Sequence, residues 1–72
     1  MQTVYIHSEP VELYKILKFE GLVNSGGDAK LCIDNELVSV NGDIETRRRR
    51  KIVSGDVITF QEYTLRVLLE NT

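Results

Sequence analysis

An α+β fold, with two helices packed on one face of a small antiparallel sheet of about four to five strands, is predicted by three features of this sequence. Apolar residues recur at helical spacing in two segments of the first half. Short β-branched runs of period two occupy the second half. Between two of those runs stands Asn41-Gly42, the strongest short hairpin signal.

Residues 2–6, QTVYI, are rich in β-branched and aromatic types and form an N-terminal strand. In SEPVELYKILKFEG, residues 8–21, Ser8 or Glu9 supplies a cap and Pro10 suits a first helical turn. Leu13, Ile16, Leu17 and Glu20 then fall at helical spacing, and Gly21 stops the helix. The second helix opens at Ser25, an N-cap with Asp28 at the third helical position, and carries Ala29, Cys32 and Ile33 as its apolar stripe. Gly26 and Gly27 are poor helix formers at its start, so propensity does not account for them. Residues 37–40, LVSV, alternate as a strand, Asn41 and Gly42 turn, and DIET at 43–46 returns. IVSGDVITF at 52–60 places a Ser-Gly-Asp turn before another strand, and QEY leads into TLRVLLE at 64–70 as the last.

Seventy-two residues make one domain, 1–72, near the size below which a single core struggles to offset chain entropy. The composition, 42% hydrophobic and 28% charged, is that of a soluble globular domain. No apolar run approaches the roughly 20 residues of a membrane helix, and MQTVYIHSEP has no signal-peptide pattern, so a cytoplasmic protein is expected. The single cysteine, Cys32, excludes an internal disulfide or a multi-cysteine zinc site. His7 has no motif around it and the carboxylates show no paired spacing, so neither a catalytic site nor a cofactor is expected.

Charge is segregated. The net charge is −2, yet residues 47–51, RRRRK, carry +5, leaving −7 on the other 67 residues. A dense cluster binds phosphate within a Debye length, roughly 8 Å at physiological salt, whatever the whole-chain sign. Guanidinium presents a planar donor fork that suits phosphate, which makes Arg47, Arg48, Arg49 and Arg50, with Lys51 helping, better suited to RNA than to solubility alone. The bland alternative is a solvated guard on a sheet edge. In an extended loop alternate side chains diverge, so Arg47 with Arg49, or Arg48 with Arg50, is expected to dominate.

Ser25, Gly26 and Gly27 have a second reading. A helix N-terminus exposes unpaired N–H groups, glycines let a phosphate approach them, and Lys30 follows one turn on. A plain loop-to-helix junction is the other reading, and Asp28 counts against an anion there. Asn41 belongs first to a type I′ turn and second to a base contact. Tyr5, Tyr14, Phe19, Phe60 and Tyr63 are potential stacking platforms, most of them expected in the core.

The stretch from Ser25 to Asp56 resembles the RNA-binding domain named for ribosomal protein S-four, also called the alpha-L motif. The resemblance rests on the serine-opened helix with Ala29, Cys32 and Ile33, on V-x-V-N-G at Val38 to Gly42, and on the Gly-Asp turn between Ile52 and Ile58. SGG and NG…RR…GD are similar to the short stand-alone bacterial branch. The family pattern has a cation where this chain has Gly26 and commonly a glycine where it has Glu36, while RRRR exceeds the pattern's charge and shifts expected binding toward the later loop. The resemblance implies a non-catalytic module that contacts the phosphate backbone of structured RNA, ribosomal RNA included, through Ser25 to Gly27, Lys30 and the basic loop; a monomer is expected. A protein-interaction module docking the same loop on an acidic partner is the alternative.

Overall fold

The computed structural model describes residues 1–70. The chain opens with β1 (Gln2–Ile6), then β2 (Val11–Glu12) runs directly into α1 (Leu13–Phe19), and α2 (Gly26–Asp34) follows. The rest is strand and turn: β3 (Val38–Val40), β4 (Asp43–Ile44), β5 (Lys51–Ile52), β6 (Val57–Phe60) and β7 (Tyr63–Leu69). Five strands form one sheet in the order β1-β7-β6-β3-β4, and β2 pairs with β5 as a separate two-stranded ribbon.

Alternation along the strands decides which face is covered. Val4 and Ile6, Val38 and Val40, Ile58 and Phe60, and Leu65 and Val67 all point to one side and are buried there. Leu13, Ile16 and Leu17 of α1 and Ala29 and Ile33 of α2 complete the same core, with Cys32 packed at its margin. The expected layering of helices on one sheet face is the observed one. The expected antiparallel pairing holds from β7 through β6 and β3 to β4, but β1 joins the β7 edge parallel, Gln2 opposite Leu65 and Ile6 opposite Leu69. Period-two patterning is identical for either direction, so the sequence could not distinguish them.

Turn chemistry behaves as its residues require. Asn41 and Gly42 have φ of 53° and 89°, the two positive values of a type I′ turn. Both helices end in the same hydrogen-bonded motif. Gly21 (φ 73°) donates to Lys18 and Leu22 to Leu17 after α1, while Glu36 (φ 63°) donates to Ile33 and Leu37 to Cys32 after α2. The left-handed position after α2 is therefore occupied by a residue with a β-carbon, at the place where the S-four-like pattern commonly has glycine.

Beyond the loss of Leu37 from β3, two expected elements are shorter than their patterns. The first helix does not begin on Pro10 with a Ser8 or Glu9 cap: Val11 and Glu12 pair instead with Ile52 and Lys51, and the helix starts at Leu13. The returning strand DIET stops at Ile44, where Glu45 turns inward, its N–H donating to the Val38 carbonyl.

Candidate nucleic-acid interface

The basic segment is a turn rather than an extended strand. Arg50 N–H donates to the Arg47 carbonyl at 3.2 Å, closing residues 47–50 into a tight bend. Its backbone also serves α1. That helix has no side-chain cap, and the first-turn N–H groups of Leu13 and Tyr14 donate to the carbonyls of Arg50 (2.9 Å) and Arg48 (3.2 Å). With β5 pairing Lys51 to Glu12, the loop is stitched to the N-terminus of α1 on both sides.

The arginines are thus presented from a bend and not from an extended loop, with Arg47 and Arg49, one of the two expected alternating pairs, the most exposed of the four. Residues at the two ends of the turn, Arg47 and Arg50, converge on one carboxylate, Glu45, which is 6% exposed. Glu45 Oε2 accepts from the Arg47 backbone N–H (2.9 Å) and Nε (3.0 Å). Its Oε1 accepts from Arg47 Nη2 (3.0 Å) and Arg50 Nη1 (2.8 Å). The bond from Arg47 outweighs the cost of burial and, with Arg50, holds the Glu45 carboxyl at about 2 against an ordinary 4.5. The same bond raises Arg47 above its ordinary value. Arg48 forks onto Asp34 at the end of α2 (3.0 and 2.9 Å), and Arg49 lies 3.6 Å from Glu12.

Between these side chains lies an open concavity of about 560 Å³ lined by Arg47, Arg49, Arg50 and Lys51. The arginines differ in availability: the side chains of Arg47 and Arg49 are 72% and 75% exposed, that of Arg50 only 29%. Lys51 is exposed and, among the described residues, has no carboxylate within ion-pair distance. Glu12 is shared with Lys15 at 3.2 Å, so the five loop cations and Lys15 stand against three carboxylates, Glu12, Asp34 and Glu45, and leave a local net charge of +3.

The start of α2 keeps its expected form, with Ser25 Oγ accepting from Asp28 N–H at 3.1 Å. A β-carbon on Gly26 would stand 3.7 Å from the Tyr14 ring, and one on Gly27 would meet only Ser25 Oγ, also at 3.7 Å. Ordinary packing thus has room for side chains at both positions. Lys30 Nζ sits 4.7 Å from the centroid of the Tyr14 ring, in a cation–π contact.

Tyr14 carries no sequence signal beyond being one of five aromatics, yet it joins the two halves of the candidate interface. Its N–H is bonded to the basic loop, and its ring lies beneath the Lys30 ammonium and beside Gly26, where a β-carbon would meet it at 3.7 Å. Only the α1–α2 contact creates this role, and no local pattern signals it. The expectation that most aromatics are core is likewise corrected. Phe60 is buried, Tyr14 is half-buried, and Tyr5, Phe19 and Tyr63 are exposed: Tyr5 and Phe19 fall on outward positions, whereas Tyr63 shares the core-facing side of β7 with Leu65 and Val67 and is exposed at the first residue of the strand. Asn41 stands apart from the loop, at the other end of β3 from Glu45's anchor. Its Nδ2 donates to Asp56 Oδ1 and its Oδ1 accepts from Val57 N–H, tying the β3–β4 turn to the start of β6.

Two helices on a five-stranded sheet, with a cationic turn seated on the first helix, describe the S4 domain class. The chain belongs to the S4 domain family, whose model matches residues 4–68. It is 41% identical over 69 residues to "Putative RNA-binding protein YbcJ" of Escherichia coli (strain K12), covering 94% of this chain and 99% of that one. It is 33% identical over 60 residues to "Probable ribosome maturation protein RlbA" of Bacillus subtilis (strain 168), covering 83% and 84%. The solution structure of E. coli YbcJ, described as revealing an alpha-L motif involved in RNA binding, superposes with a TM-score of 0.72 at 40% identity over 94% of this chain and 87% of that one.

Proposed function

We propose that this chain is a non-catalytic RNA-binding module that sets its basic turn against the phosphate backbone of structured RNA, ribosomal RNA being the first candidate. The carrying observation is the rigid presentation of exposed guanidinium groups around one concavity in a chain of net negative charge. Arg47, Arg49 and Lys51 make the direct phosphate contacts, Arg48 joins them on release from Asp34, and Arg50 supports Arg47 through Glu45. Ser25, Gly26 and Gly27 offer a second phosphate position at the N-terminus of α2, with Lys30 beside it. Asn41 keeps the turn in shape. The names of the E. coli and B. subtilis relatives support RNA, and the latter a ribosomal setting. No helix among the described residues is long and apolar enough to cross a membrane, and we place the module in the cytoplasm as one monomeric domain.

The same forks that suit phosphate also hold carboxylates in this structure, which keeps an acidic protein partner as the second reading. Parallel titrations separate the two. Folded ribosomal RNA is expected to bind at concentrations where an acidic peptide does not, and the reverse order would replace this proposal with the second.

A further inference from the structure

We infer that Glu45 is a positioning residue for RNA binding: a buried carboxylate that builds the Arg47–Arg50 edge of the concavity, so that deleting its negative charge weakens the hold on RNA. This rests on the RNA reading above. Simple electrostatics predicts the opposite, because a carboxylate near a phosphate site repels the ligand. Geometry decides against that expectation. Glu45 is 6% exposed and its two oxygens are occupied by four hydrogen bonds, so it is not placed to meet a phosphate directly.

What it does is fix a donor. A guanidinium has five N–H groups, and Glu45 takes Nε–H and one proton of Nη2 from Arg47. The opposite fork, made of Nη1 and the second Nη2 proton, has no partner among the described residues and sits on a side chain that is 72% exposed. Glu45 itself is anchored, since its backbone N–H is bonded to Val38 on β3. Arg47 is thus ordered before RNA arrives, and the rotamer freedom that a loose arginine surrenders on binding is already gone. Arg50, held on the same oxygen, closes the other side. The sequence shows only an acid two residues before a run of cations, a pattern that local charge arithmetic counts as a partial cancellation.

The test is a double-mutant cycle on affinity for a folded RNA that the wild type binds, using wild-type protein, Glu45→Gln, Arg47→Ala and the double variant. Glutamine keeps the shape but puts an N–H donor where the guanidinium needs an acceptor. With the fold verified from the amide spectrum, E45Q alone is expected to weaken binding about tenfold, and in the Arg47→Ala background by less than about threefold, because it acts through Arg47. Equal or tighter binding by folded E45Q overturns the proposal. So does an undiminished effect of E45Q once Arg47 is gone, the sign of a general structural role.

A measurement on the wild type alone guards against an E45Q variant that does not fold. The Arg47 Nε–H signal should be resolved and slow to exchange in the free protein, and an averaged, rapidly exchanging signal would refute preorganisation. If wild-type protein binds no folded RNA, the RNA reading falls and this inference with it, whereas the failures above leave RNA binding standing.

Discussion

Glu45 and Asp34 are both carboxylates on arginines, yet burial gives them different roles. The Glu45 carboxyl is held at about 2 by Arg47 and Arg50, below its ordinary 4.5, so its ionised form is favoured in the folded state. A depressed folded value means that its stabilising contribution is complete above 4.5 and is lost as pH falls through about 2. Acid denaturation of wild type and E45Q should therefore converge toward pH 2, with the wild type losing more stability on the way down from 4.5. Parallel stability curves across that window would contradict the ion-pair geometry. Asp34 is exposed, and so is its partner Arg48, which places the pair in the weak class of surface ion pairs. It can open to phosphate at little cost.

At the scale of single elements, α2 carries a test at each end. Gly27 has room for a methyl group and lies in the first helical turn. Gly27→Ala should hold or raise stability, by up to about 1 kcal/mol. If a phosphate rests on that helix start, the methyl stands in its way and RNA affinity should fall by about 1 to 2 kcal/mol. Thermal melts and RNA titrations on the same variant check whether the two quantities move apart; both unchanged, or both falling, would make the glycines structural. At the other end Glu36 is held at φ 63°, a conformation that costs a residue with a β-carbon roughly 1 to 2 kcal/mol, part of which glycine returns as unfolded-state entropy. Glu36→Gly is expected to raise unfolding free energy by about 0.5 to 1 kcal/mol, measured by denaturant titration.

For the whole molecule the relevant quantity is how much of the loop's +5 is free. Five cations neutralising phosphates would give a slope of log affinity against log salt near −3.5, and the local net of +3 gives about −2.1, using about −0.7 per phosphate of a single-stranded segment. The wild type should fall near the shallower value. Asp34→Asn releases Arg48 and should steepen the slope by about 0.7 while tightening binding at low salt, the opposite sign to E45Q. A salt series on the two variants checks this, and a wild-type slope near −3.5 would mean that phosphate displaces the carboxylates altogether.

Much of this is legible in the order of the residues. Ser25 as a cap, Gly21 as a stop, Asn41-Gly42 as a hairpin turn and the period-two core positions are local or short-range consequences of residue type, and each appears where its chemistry requires. The segregation of charge into residues 47–51 was equally plain, because charge needs only counting. Tertiary structure decided the rest. Which way β1 runs beside β7, why α1 starts at Leu13, and which carboxylate each arginine meets all depend on partners far along the chain. Tyr14 joins the basic loop to α2, and Glu45 gathers Arg47 and Arg50, only because the strand stops at Ile44 and the chain bends back at 47–50. Hydrogen-bond donors left open at the start of α1 found their acceptors in the basic turn, and a contact of that range has no signature in the order of neighbouring residues.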